Sequence, residues 1–148
     1  MKFDFAIGNP PYQEETENNG RQSPVYNKFM DEAYKIASCV ELITPARFLF
    51  NAGQTPKSWN EKMLNDEHFK VLQYEPDASK VFSNTQIKGG VAITIRDKVK
   101  SPGAIKVFTS HAELNNIVKR IVSRSENSEY LDSIISSRGC YRTTDLFF

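Results

Sequence analysis

Apolar and polar positions along the chain alternate in short blocks that fix most elements before any chemistry is considered. Phe3-Asp4-Phe5-Ala6-Ile7 alternates and then stays apolar until Gly8-Asn9-Pro10-Pro11 stops it, which reads as a short buried strand. From Gln13 to Ser23 the chain is polar and aperiodic, a surface loop. Ser23-Pro24 then suits a helix start, and apolar residues recur at Val25, Phe29, Ala33, Tyr34 and Ile36-Ala37, predicting a helix over 24–37. Val40-Glu41-Leu42-Ile43-Thr44 is the next strand, closed by Pro45, and residues 46–56 read as an irregular stretch carrying Arg47, Phe48 and Phe50. A second helix is predicted over 57–65, with Trp59 and Met63-Leu64 on similar faces. Val71 to Tyr74 forms a third strand, Val81-Phe82 a connector, and Gly90 to Ile95 a fourth strand.

Strand–helix–strand–helix–strand alternation argues for an α/β chain whose sheet is at least partly parallel. Composition changes at Lys98-Val99-Lys100-Ser101-Pro102-Gly103, which divides the chain into 1–98 and 99–148. Ile105 to Phe108 reads as one more strand. Leu114, Ile117, Val118, Ile121 and Val122 follow helical spacing over 111–124, and Tyr130, Leu131, Ile134 and Ile135 point to another helix; both are expected to dock on the core.

Composition narrows the class. The chain has 148 residues, 39% of them hydrophobic and 25% charged, the profile of a single ordinary soluble domain. No apolar run approaches the roughly 18 residues of a membrane span, and the first residues lack a secretory pattern, so no membrane partner is expected. Cys39 and Cys140 match no metal or redox spacing, which fits reduced thiols in a cytoplasm. With only His68 and His111, a zinc centre or a Ser-His-Asp hydrolase is poorly supported, and no metal is expected. Net charge is +1, but residues 1–95 carry 10 basic against 12 acidic groups and residues 96–148 carry 9 against 6. A positive second half would suit nucleic acid, as would many solvated helices.

The run that carries chemistry is Asn9-Pro10-Pro11-Tyr12, directly after a strand. Two prolines fix two φ angles and make a stiff turn at the carboxyl end of that strand, where open α/β sheets place ligands. The turn presents the Asn9 side-chain oxygen and the Pro10 carbonyl together, with an aromatic ring beside them. Two adjacent acceptors suit a planar NH2 group, whose lone pair is delocalised and whose nucleophilicity is poor. Accepting both hydrogens holds that nitrogen in line and supports its developing positive charge. Asn and Pro are also common in plain loops; the preceding strand is what favours the chemical reading.

The residues from Phe3 to Tyr12 resemble the catalytic motif of S-adenosylmethionine-dependent amino-methyltransferases. Together with Val40-Glu41-Leu42-Ile43-Thr44-Pro45-Ala46-Arg47-Phe48-Leu49 and with Val81-Phe82 followed by Gly89-Gly90-Val91-Ala92-Ile93-Thr94-Ile95, they resemble the N6-adenine DNA methyltransferases of restriction-modification systems, of the Taq-like and type IIG kind. The resemblance spans roughly residues 2–97. It implies that Asn9 and the Pro10 carbonyl, within the rigid turn that includes Pro11, receive the target amino group. It further implies that Tyr12 stacks on an adenine taken out of the duplex, and that Phe82 is a second aromatic against that base. A plain core phenylalanine is the competing reading of Phe82. Lys80, Asn84, Gln86 and Lys88 flank it as possible contacts to double-stranded DNA, or as solvated loop residues.

The same resemblance implies a cofactor half with a Gly-rich turn and an acidic residue ahead of the catalytic motif. Only eight residues precede Asn9, and no G-x-G occurs. The chain is therefore expected to hold the later strands of a Rossmann-like methyltransferase sheet plus C-terminal helices leading toward a target-recognition region. It is expected to be inactive alone, with its cofactor-binding residues unknown. The Phe3–Ile7 strand would then be a bare edge, open to a missing N-terminal half or to a second copy. Two other functions stay open: a protein glutamine methyltransferase, whose substrate also presents an NH2 group, and a non-catalytic DNA-binding module.

Overall fold

The protein is described here by a computed structural model over residues 2–15, 22–83 and 86–124. Its centre is a four-stranded mixed sheet built from β1 (Phe3–Gly8), β4 (Ala37–Pro45), β5 (Phe69–Glu75) and β6 (Val91–Asp97), in the order β1-β4-β6-β5. β1 pairs with β4 in parallel, Phe5 opposite Cys39 and Gly8 opposite Leu42. β6 enters between β4 and β5 and runs antiparallel to both, with Leu42 opposite Thr94 and Tyr74 opposite Ala92. The expected parallel component is thus confined to one strand pair.

The crossover from β1 to β4 is α1 (Tyr26–Ile36), and α2 (Lys57–Leu64) lies between β4 and β5. Both helices bury their apolar stripe against one face of the sheet. Tyr26, Met30 and Ala37 from the first crossover meet Val40 and Leu42, while Trp59, Met63 and Leu64 close over Phe48 and Phe69. Four aromatic rings interlock there: Phe48 lies 5.2 Å from Trp59 edge to face, and 6.2 Å from both Tyr26 and Phe69. The Trp59 indole N–H finds the Asp31 carboxylate at 3.1 Å, so the large ring is buried without stranding its donor. At the far end of the sheet, Arg96 pairs with Asp66 at 2.6 Å and lies over the Tyr34 ring.

Several expectations need correction. The polar stretch from Gln13 to Ser23 is not simply a loop, because β2 (Gln13–Glu15) and β3 (Gln22–Pro24) pair antiparallel. This ribbon is held by backbone bonds, which leave no hydrophobic signal in the sequence. Pro24 therefore ends a strand, and the helix begins at Tyr26. On α1 the buried position is Met30, not Phe29, which is exposed. Ile105 to Phe108 is not a strand: Lys106 takes φ 58° and the Val107 N–H bonds back to the Ile105 carbonyl, so the chain turns. Ile105 and Phe108 still reach the core, with Phe108 against Phe50 and Tyr74. The helix expected over 111–124 is present as α3 (Ala112–Arg124), but Leu114, Ile117 and Ile121 are exposed rather than docked. The helix expected around Tyr130–Ile135 lies outside the described residues.

β1 also departs from the buried strand its composition predicts. Phe5 is 73% and Ile7 81% exposed, because the strand is the edge of the sheet and its Phe3-Phe5-Ile7 face is open. Only Ala6, on the opposite face, packs against the core. Among the described residues no helix is long and apolar enough to cross a membrane, and no three His, Cys, Asp or Glu side chains are grouped to hold a metal.

Candidate functional site

The sheet's topology collects the chemically interesting segments at one end. β1 and β4 are parallel, so the Asn9–Tyr12 turn and the Ala46–Phe50 segment leave the same carboxyl edge. β5 ends and β6 begins at that edge too, Glu75 facing Val91, and this brings the 76–90 connection alongside. The sequence separation between these three segments is large, and the strand register alone makes them neighbours.

Each segment is held by its own backbone bonds. The Tyr12 carbonyl accepts the Val25 N–H at 3.1 Å, which ties the end of the proline turn to the start of α1. The 76–90 connection opens with Asp77, whose carboxylate accepts from both the Ser79 backbone N–H (3.1 Å) and hydroxyl (2.6 Å). Those two bonds hold the Asp77 carboxyl below the usual carboxylate range. A short 3-10 turn over Ala78–Lys80 follows, and the Phe82 N–H closes onto the Ala78 carbonyl at 2.8 Å. The connection ends at two glycines. Gly89 has φ 85° and its carbonyl accepts from the Tyr74 hydroxyl, while Gly90 has φ 73° and bonds Ile87. A side chain at Gly90 would overlap the Glu75 carbonyl oxygen, so only glycine fits where the connection passes over β5.

Tyr12 and Phe82 are brought together. Their ring centroids are 6.3 Å apart with planes inclined at 72°, an edge-to-face contact and not a parallel slot. Tyr12 is half-buried; burial pushes its phenol up to about 12, and its hydroxyl has no hydrogen-bond partner among the described residues. Asn9 and Pro11 are exposed and Pro10 half-buried at the head of the turn. Gln86 and Lys88 line, with Tyr12, a cavity of about 270 Å³. Lys80 is exposed and engages Glu75 at 3.3 Å, and it is not among the lining residues. Asn84 lies outside the described residues.

The cavity wall also contains Arg47, Gly53 and Gln54, which sequence reasoning left in the irregular stretch after β4, and Tyr26, which it placed in the first helix without a site role. Burial raises the Tyr26 phenol, and a hydrogen bond with Thr55 and the Arg47 charge partly oppose that rise. Among the described residues no carboxylate lines the cavity.

The Asn9–Tyr12 turn, with Phe82 against Tyr12, thus stands at the carboxyl edge of a mixed α/β sheet. Residues 1–82 match the family model described as Eco57I restriction-modification methylase, more than half of the chain, and the chain belongs to that family. It is 28% identical over 100 residues to a Mycoplasma pneumoniae protein described as an uncharacterized adenine-specific methylase. That alignment covers 64% of this chain and 24% of the relative, so the chain spans about a quarter of the relative's length. No solved structure matches.

Proposed function

We propose that the chain is the target-adenine half of a DNA (adenine-N6) methyltransferase of the Taq-like or type IIG kind. The observation that carries this is the Asn9–Tyr12 turn at the carboxyl edge of β1 with Phe82 in contact with Tyr12. The Asn9 oxygen and the Pro10 carbonyl accept the two hydrogens of the adenine N6 amino group. They orient its lone pair and stabilise the positive charge that builds on nitrogen as it gains the methyl group. The base leaves the duplex to reach them and stacks on Tyr12. Phe82, now edge-on, must turn to cover the second face. Stacking of this kind contributes about 1–3 kcal/mol per base, comparable to the cost of unstacking.

S-adenosylmethionine is the methyl donor that the family resemblance implies. The described site does not fit it: the cavity offers two cationic side chains, Arg47 and Lys88, and no carboxylate to meet ribose hydroxyls or a sulfonium. The donor's binding residues are therefore expected outside the described residues, which serve the acceptor. A strand carrying them would add to β1, one of the two edge strands of the described sheet. The cationic wall also favours DNA over a glutamine side chain as the source of the amino group.

The test is binding of a short oligodeoxyadenylate against the same strand carrying N6,N6-dimethyladenine, which has no amino hydrogens. The wild-type chain should prefer the unmethylated strand, and Asn9→Ala should erase the preference. Equal binding of both strands by the wild type would refute the reading.

A further inference from the structure

The cavity that begins at Tyr12 contains a feature that amine recognition does not use. Its two cations, Arg47 and Lys88, make no ion pair with a carboxylate among the described residues, whereas Lys28, Lys62, Lys80 and Arg96 are each paired with one. An unpaired surface cation is unremarkable by itself. Arg47, however, runs past two glycines. A Cβ on Gly89 would lie 2.6 Å from the Arg47 Cγ, and a Cβ on Gly53 would lie 3.3 Å from the Arg47 Cβ. Both glycines have positive φ, 85° and 104°, so at two left-handed positions the missing side chain leaves room for one arginine stem. The Gly89 side of this path is itself fixed, by the Tyr74 hydroxyl on the Gly89 carbonyl at 3.2 Å and by the Ala46 N–H on the Gly90 carbonyl at 3.0 Å.

The two glycines line the path of the aliphatic stem and let Arg47 reach the cavity wall. What remains free is a planar fork of N–H donors at the cavity wall, with a lysine beside it and the neutral amides of Gln13, Gln54 and Gln86 around it. This set suits an oxyanion. The methyl donor is a poor candidate, since its sulfonium and ammonium would approach two cations. A phosphodiester is a good one, because a base held at Tyr12 carries its backbone phosphates with it.

We infer that Arg47, with Lys88, binds a backbone phosphate of the strand whose base reaches the Asn9–Tyr12 turn. The inference rests on the nucleic-acid reading above and assigns the residues that hold the strand there. Arg47 is a positioning residue: it fixes the register of the strand and touches no reacting atom.

The experiment measures binding of a fluorescein-labelled oligodeoxyadenylate by anisotropy, from about 50 to 200 mM salt. Variants are Arg47→Gln, Arg47→Lys, Lys88→Gln and the control Lys62→Gln, with thermal melts run alongside. Loss of one phosphate contact should lower the magnitude of the log K against log salt slope by about 0.7 for a single strand. Arg47→Gln and Lys88→Gln should each show that loss. Arg47→Lys should keep the slope with weaker binding, and Lys62→Gln should match the wild type. An unchanged slope in both Arg47→Gln and Lys88→Gln would overturn the assignment, as would a wild-type chain whose binding ignores salt. Displacement of the strand by S-adenosylmethionine from the wild type but not from Arg47→Gln would also overturn it, giving the site to the donor's carboxylate. If Arg47→Gln does not fold, Lys88→Gln decides. An oligothymidylate strand, which lacks the amino group, separates the two ideas. Should it bind as well as the adenine strand while Arg47→Gln still flattens the slope, the adenine reading fails and the phosphate site stands.

Discussion

On one face of the central sheet, Phe48 and Phe69 are fully buried beneath Trp59 and Met63; on the other, Phe3, Phe5 and Ile7 stand in solvent. Both sets are apolar, and both lie in or beside a strand. The difference is cover. α1 and α2 bring Met30, Trp59 and Met63 down on the first face, while the open face of β1 has only its own neighbours in the strand plane. Apolar sequence predicts burial only when something is available to do the burying. Here the same residue types mark a finished core and an unfinished surface.

Mutations should separate the two faces. Phe48→Ala removes the ring on which Tyr26, Trp59 and Phe69 converge, and it should cost about 3–5 kcal/mol by denaturant unfolding. A loss under about 1 kcal/mol would mean the aromatic cluster is not the core. Gly90→Ala comes next, because its new methyl meets the Glu75 carbonyl at a positive φ. About 1–3 kcal/mol should be lost, with the Ile87–Gly90 turn displaced in backbone amide shifts. Tyr12→Phe acts in the opposite direction. It removes a buried hydroxyl without a partner among the described residues, and stability should rise by about 1 kcal/mol.

The same residue sets an alkaline limit. Below pH 10 the Tyr12 phenol is neutral in both the folded and the unfolded chain, so it adds no pH dependence. Between about 10 and 12 the unfolded chain loses the proton while the folded chain keeps it, and stability falls. Tyr26 and Tyr34 are also raised by burial and act in the same sense. The melting temperature should therefore drop steeply above pH 10, and less steeply in Tyr12→Phe. Phe5→Ser should have the smallest effect, within about 0.5 kcal/mol, because that ring has little cover to lose. Its consequence should appear in light scattering, as weaker self-association through β1. A wild-type chain that stays a monodisperse monomer over a tenfold concentration range would remove the basis for that expectation.

Much of the frame was legible in the sequence. β1, β4 and β6 follow from runs of β-branched and aromatic residues stopped by Gly or Pro, and α2 follows from the spacing of Trp59 and Met63. The Asn9–Tyr12 turn was visible because its chemistry is contiguous. The β2–β3 ribbon was not, since its pairing depends on backbone groups that polar residues supply as well as any. Phe29 and Met30 show another limit. Of these two adjacent apolar residues only Met30 is buried, and the spacing alone did not say which. Arg47 was hidden for a different reason. Its significance lies in contacts with Gly53 and Gly89, and the second of these is brought to it only by the register of β4, β6 and β5.

The central proposal is that this chain holds the acceptor and not the methyl donor. Calorimetric titration tests it most directly, with S-adenosylmethionine and an oligodeoxyadenylate each added to the chain alone. Heat of binding from the oligonucleotide and none from S-adenosylmethionine is the predicted result. One-to-one binding of S-adenosylmethionine would contradict the account, because the chain would then build a donor pocket of its own.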